Sequence, residues 1–393
     1  MRVTNTSTIR NFNASVNEAH RRLNKSMNKV TSGAAYESAA ENPLAYYEGK
    51  RIDAQYQDTL SKLTLSADLK NRLYQQELGA RDIQKLLSDA KNQIQYAQSD
   101  TSSSDTTLDT IKDDLLQTMQ SMVTNLNSQY QNFYVFGGND LSTPPFSLSS
   151  DGKELTFSHT YPGDSKATQI KMTLTKNEDD GSYAFKISEI TNPDGSKVPE
   201  ADLETKGEEL LRQAMSEQGR VDIGYGSSKN PDTLLDTYTG GFNVLTGISS
   251  DAIRADKDHK IDIMDAINSS ALTLVGSAAS AISDYVNRPA GSDQAEAKAT
   301  LNAVLGNSIT AMTDAEHQLT TAYTEMGNKY SLIEDAENRL TVMKQSLTEQ
   351  YTNILGADPY EAIMEMFNNQ YAYNAALRVG SQLFSSSLFD FIG

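Results

Sequence analysis

The sequence predicts a mainly α protein with a β-rich insert. Both chain ends build a long α-helical coiled-coil rod, and the middle forms a small β-rich central domain. Three observations predict this. Six of the nine prolines lie between Pro144 and Pro231, and residues 44–143 contain none. Proline lacks an N–H and clashes with the preceding helical turn, so its absence marks helix and its crowding marks irregular chain. Apolar residues recur at heptad spacing toward both ends, whereas strict alternation is confined to the middle. The resulting map has terminal assembly helices at 1–45 and 354–393, a helical rod from 46–133 and 261–353, and a variable insert at 134–260.

The first helix is read from Ile9, Val16, Leu23 and Val30 at seven-residue spacing, with Phe12 and Ala19 between them. The stretch "TSGAAYESAAENP" closes it, because Gly33 can end a helix and Pro43 can begin one. The pattern resumes from Leu63 to Gln98 through Leu73, Ala80, Ile83, Leu87, Ala90, Ile94 and Ala97. After the polar break "SDTSSSDTT", a helix is expected from about Leu108 to Gln131. The aromatic stretch Phe133 to Phe136, then Gly137-Gly138 and Pro144-Pro145, reads as a joint at the end of that helix.

In the insert, alternation around Asp151-Gly152 and Asp180-Gly181 predicts two hairpins. "NPDGS" is a turn, "GEELLRQAMSEQ" an amphipathic helix and "RVDIGY" a short strand. Helix returns at about 261 with "IDIMDAINSSALTLVGSAASAI". A long pattern then runs from Gln294 to about Leu355, ending in Ile333, Ala336, Leu340, Met343, Leu347, Gln350 and Ile354. "GADPYEA" interrupts it, and a last helix carries Ile363, Phe367 and Leu377.

Composition narrows the function. The net charge of −18 argues against DNA or an anionic membrane as partner. Cysteine is absent, which removes disulfides, thiolate nucleophiles and cysteine-ligated metals. The start, "MRVTNTSTIRNFNASVNEAH", lacks the apolar core of a cleavable signal peptide. No phosphate loop, dinucleotide fingerprint, zinc-helix motif or nucleophile elbow occurs. His20, His159, His259 and His317 lie far apart and read as surface or flanking residues. "DKDH" at 256–259 begins like a calcium loop but lacks its glycine and terminal glutamate. No enzyme activity, metal or cofactor is expected.

Both ends are thus amphipathic helices whose stripes need a partner, since a lone helix is marginal in water. Residues 1–33 carry six Lys/Arg against Glu18 alone, while 354–393 has four acids and Arg378. The ends are expected to pair with each other or with neighbouring subunits. The assembly faces are Ile9, Val16, Leu23 and Val30, with Leu340, Leu347, Ile363, Phe367 and Leu377.

Three stretches resemble the flagellin superfamily, and within it the hook–filament junction branch. Gly33 is followed at the family's offsets by Glu41, Asn42, Pro43 and Ala45; Asn42 stands where the family has an acid, and Ala35 where Arg is usual. "YVFGGNDLSTPPF" is similar to the segment where the helical rod enters the variable domain. "EMGNKYSLIEDAENRL", "YEAIMEMFNNQYAYNAALRVGSQLF" and the ending "SLFDFIG" resemble the junction branch more than flagellin itself. The resemblance implies an extracellular axial protein of the bacterial flagellum, sent unfolded through type III export. Its terminal helices would be disordered until assembly. Its implied partners are flagellin, the preceding hook-associated protein, further copies of itself in a ring, and an export chaperone. Flagellin, the filament subunit, is the alternative, and an exported enzyme or adhesin is a third class.

Overall fold

The computed structural model describes residues 5–99, 104–177, 181–224, 234–289 and 293–392, with side chains described between 7 and 382. In chain order the elements are α1 (Asn5–Ser32), α2 (Pro43–Gln98), α3 (Asp105–Leu126), β1 (Gln129–Tyr130), β2 (Phe133–Tyr134), β3 (Phe146–Leu148), β4 (Glu154–His159), β5 (Thr168–Lys176) and β6 (Tyr183–Thr191). There follow α4 (Leu203–Met215), β7 (Arg220–Val221), β8 (Leu235–Asp236), α5 (Gly241–Thr246), α6 (Ser250–Ala255), α7 (Ile263–Asn268), α8 (Ala271–Val286), α9 (Gln294–Leu355) and α10 (Pro359–Ile392). The fold is mainly α with a β-rich insert. The chain divides into a terminal unit, Met1–Leu63 with Asn338–Gly393, and a central unit, Thr64–Glu337.

Helix boundaries follow local chemistry. Gly33 takes φ +68° just after α1, and its neighbour Ala34 bridges to Gly356, so the two helix breaks are joined. Pro43 and Pro359 open α2 and α10, where the missing N–H has no role. The Ser104 hydroxyl accepts from the Thr107 amide and caps α3.

The central unit holds most of the core. Part of α2 runs antiparallel to part of α9: Gln84 bonds Thr320, Lys91 pairs with Glu316 at 3.1 Å, and Gln98 donates to the Asn302 carbonyl. Ala80, Ile83, Leu87, Ala90, Ile94 and Ala97 are all fully buried. The seam also holds oxygens of Ser66, Gln76, Gln93, Asn302 and Gln318 without a hydrogen-bond partner among the described residues. Each such atom costs stability while apolar pairs around it contribute it.

The sheet is antiparallel in the order β3-β4-β5-β6. Its buried face carries Leu155, Phe157, Ile170, Met172, Leu174 and Phe185, and α3 and α8 cover it. Small residues let α8 approach closely: a Cβ on Gly276 would lie 2.9 Å from Met119 of α3 and 3.4 Å from Leu174 of β5. A satellite cluster of Leu69, Leu73, Ile223, Leu235, Ile333 and Ala336 seats β7 and β8.

The structure departs from the sequence reading in three places. The helix expected to reach Gln131 stops at Leu126. Gln131 and Asn132 take φ 52° and 66° and turn a two-residue hairpin between β1 and β2. The expected helix from 261 is broken at Ser269-Ser270 into α7 and α8, and α5 and α6 occupy a stretch where no helix was expected. Helices of six residues are too short to show a period. Of the Asp180-Gly181 turn, Asp180 lies outside the described residues.

Candidate assembly interface

In the terminal unit α1 and α10 pack antiparallel. Lys29 pairs with Glu365 at 3.0 Å, the Asn369 amide donates to the Arg22 carbonyl, His20 meets Tyr373 at 5.4 Å between ring centres, and Phe12 lies over Gly380. The inward residues of α1 are Phe12, Val16, Ala19, Leu23, Ser26 and Val30; those of α10 are Ala362, Met366, Asn369, Tyr373, Ala376 and Gly380. Both sets follow alternating steps of four and three, the pattern of a coiled-coil seam. Large meets small along it, as at Phe12, whose ring would lie 2.1 Å from a Cβ on Gly380. In the same unit Glu41 reaches back to Lys25 at 2.8 Å, an exposed pair worth little by itself.

The seam uses one face of α10 and leaves the other bare. Tyr360, Met364, Phe367 and Tyr371 form a second four-three stripe, and they are 76, 45, 54 and 79% exposed. Among the described residues, fourteen of the twenty large exposed apolar residues belong to the terminal unit, although it is much the smaller of the two. Its buried apolar residues are only Ile52, Leu340, Leu347 and Ala362 among those described. A unit with so little core and so much bare apolar surface has the makeup of an interface.

The residues singled out in the sequence fall into three groups. Val16, Leu23 and Val30 are half-buried in the α1–α10 seam, with Ile9 exposed toward its end. Leu340 and Leu347 are buried. Ile363, Phe367 and Leu377 lie exposed, away from α1. Sequence reasoning passed over Tyr360 and Met364; their spacing from Phe367 was the available signal.

The residues read as a joint all lie within the central unit. Phe133 on β2 is 52% exposed, whereas Phe136 is buried with its ring against Gly79, where a Cβ would stand 2.9 Å away. A Cβ on Gly137 would collide with the Asp140 carbonyl, and Gly138 takes φ +64°. Pro144 is exposed and Pro145 buried, its carbonyl accepting from the Ser158 amide.

Asp140 organises this loop. Its carboxylate accepts from the amides of Ser142, Thr143 and Thr160 at 2.9–3.1 Å and from the Ser142 hydroxyl. Burial pushes the carboxyl up, but these donors outweigh it and pull it from 3.8 down to about 2. The unfolded chain therefore binds a proton first as pH falls. The stabilisation is present above the unfolded value and is lost on acidification through about 2. Asp140→Asn is expected to cost about 2 kcal/mol at neutral pH and to flatten the loss of stability between about pH 4 and 2, measured by urea denaturation across that range.

His159 is not a surface residue. Alternation along β4 turns it inward, and its Nε2 lies 3.0 Å from Glu217, whose other oxygen accepts from the Asn139 amide. His20, His259 and His317 are exposed. Asp256, in the stretch resembling a calcium loop, instead pairs with Arg212 at 2.9 Å and accepts from the amides of Lys260 and Ile261. Among the described residues no group of three His, Asp or Glu side chains is placed to hold a metal ion. None of the helices searched is long and apolar enough to cross a membrane.

Residues 309–392, which take in the later part of α9 and all of α10, match the family model of the bacterial flagellin C-terminal helical region. The C-terminal end of this chain is flagellin-like. The flagellin-like region thus includes both the seam face and the bare face of α10. No curated protein matches the chain. Among solved structures, it is similar to a protein described as a flagellar hook-associated protein of Vibrio parahaemolyticus, at 13% identity and TM-score 0.48 over 80% of this chain and 100% of the other. It is also similar to Xanthomonas campestris FlgL, at 13% identity and TM-score 0.40 over 77% of this chain and 99% of the other.

Proposed function

We propose that this chain is an axial structural protein of the bacterial flagellum, joining the preceding hook-associated protein to the flagellin filament. The observation that carries the reading is the flagellin-like C-terminal helix with one face in an intramolecular seam and the other bare. Aromatic and aliphatic side chains in that bare stripe release water when a neighbour covers them, each fully buried one contributing roughly 1.5–3 kcal/mol. Assembly energy therefore resides in the terminal unit, and the central unit keeps its own core. Ile9, Val16, Leu23, Val30, Leu340 and Leu347 hold the helical scaffold, and Ile363, Phe367 and Leu377 meet neighbouring subunits in a ring. A cysteine-free chain suits passage in unfolded form through type III export to the cell exterior, with a chaperone covering the bare stripe beforehand. The role is structural and calls for no catalysis.

The test is seeded polymerisation of the purified chain, watched by negative-stain electron microscopy with short filament fragments as seeds. A junction protein stays monomeric alone and adds at most a short cap. Micrometre-long filaments would instead identify the filament subunit.

A further inference from the structure

We propose that the outer edge of β6, in the central unit, is a docking groove for an extended polypeptide segment bearing Lys or Arg. In an antiparallel ladder the N–H and C=O of successive residues point alternately toward and away from the neighbouring strand. Tyr183 and Phe185 point away from β5: the Tyr183 amide donates to the Ser277 hydroxyl at 3.0 Å. The Phe185 amide donates to Asn268 Oδ1 at 2.8 Å, and the Phe185 carbonyl accepts from Asn268 Nδ2 at 3.2 Å. The chain thus covers its own sheet edge with side chains at these two positions, the usual protection of an edge strand.

Ile187 is next in the alternation, paired with Met172, so its N–H and C=O also point outward. Among the described residues neither group there has a partner outside the sheet. Ile187 lines a cleft of about 830 Å³ between β6, the start of α4 and α7. Beyond it the ladder is irregular opposite Ser188, and the edge closes again where the Ile190 carbonyl accepts from the Val198 amide and Thr191 bridges to Lys197. The opening is bounded at both ends and leaves backbone groups available to a strand laid alongside.

The lining selects the occupant. Phe185, Ile187, Val198, Leu203 and Met264 supply an apolar wall. Five carboxylates, Glu189, Glu200, Glu204, Asp262 and Asp265, face two lysines, and Lys197 is already paired with Glu189 at 2.7 Å. A segment alternating basic and apolar side chains satisfies backbone, wall and rim together, and an acidic one meets like charge.

The experiment titrates the full chain into a fluorescein-labelled heptapeptide alternating Lys and Val. Its controls are the Glu–Val counterpart and the Lys–Val peptide N-methylated at alternate amides. Saturable binding of the Lys–Val peptide is expected, at least roughly tenfold weaker for the N-methylated form and for the chain carrying Glu200→Lys with Glu204→Lys. The Ile187 amide should exchange hydrogen more slowly in the complex. Both glutamates are exposed, so the variant's unchanged melting temperature checks its fold. No saturable binding overturns the proposal. So does equal binding of the N-methylated peptide, which marks charge adsorption alone, or equal binding to the charge-reversed chain.

Discussion

Replacing Leu23 by aspartate is expected to separate α1 from α10 and, on the proposed role, to abolish incorporation into seeded assemblies, while the central unit melts at its usual temperature. Leu23 sits half-buried in the seam, near the contact of Arg22 with Asn369. A carboxylate there loses hydration without gaining a fixed cation, at a cost of roughly 2–4 kcal/mol. The terminal unit has little to absorb such a loss, with four buried apolar residues among those described. Once unpaired, α1 is a single helix of 28 residues with nothing to cover its stripe. Hydrogen exchange by mass spectrometry reads the effect locally: fast exchange across 5–32 and 359–392, unchanged protection in α3, α8 and the sheet. Normal incorporation of the variant would refute the role of the terminal seam in assembly. Loss of protection in the sheet as well would mean that the units do not fold independently.

Phe136→Ala is expected to destabilise the central unit by about 3–5 kcal/mol, lowering its melting temperature by roughly 10 °C. Phe136 is 1% exposed and fills the space above Gly79, while its carbonyl accepts from the Gly241 amide. Truncation leaves a cavity walled by helix backbone, which cannot collapse inward. Phe133, three residues earlier and half exposed, should tolerate alanine within about 0.5 kcal/mol. A further check uses the partner position: Gly79→Ala crowds the ring in the parent but should be tolerated or stabilising beside Phe136→Ala, so the two changes will not add. Calorimetric melting of the parent and the four variants decides it; equal losses for Phe133 and Phe136 would contradict the packing described.

What could be read in the sequence was what a residue imposes on its own backbone. Gly33, Pro43 and Pro359 mark helix ends because a positive φ or a missing N–H acts locally. Helices α2 and α9 were legible because each repeats one apolar stripe over many turns. Three features needed tertiary contacts. The end of α3 depends on Gln131 and Asn132 taking left-handed conformations, which their side chains permit but do not demand. His159 is buried because β4 lies between β3 and β5 and Glu217 returns from the end of α4 to meet it. On α10 the stripe through Ile363, Phe367 and Leu377 was found, but the face that packs on α1 carries Ala362, Asn369, Ala376 and Gly380 and looked polar and small. The bulkier stripe is the stronger periodic signal in the sequence, and the smaller one makes the closer contact.

The two faces of α10 have a kinetic consequence. A helix that must leave its intramolecular partner before meeting a neighbour exchanges one contact for another, and growth then waits on local unfolding. Here the stripe is exposed while α1 and α10 are packed together, so on the proposed role each added copy would gain contacts without surrendering any. On the proposed role, association would be governed by a critical concentration set by the outer stripe. The inner seam would set only how much of the protein is competent to join.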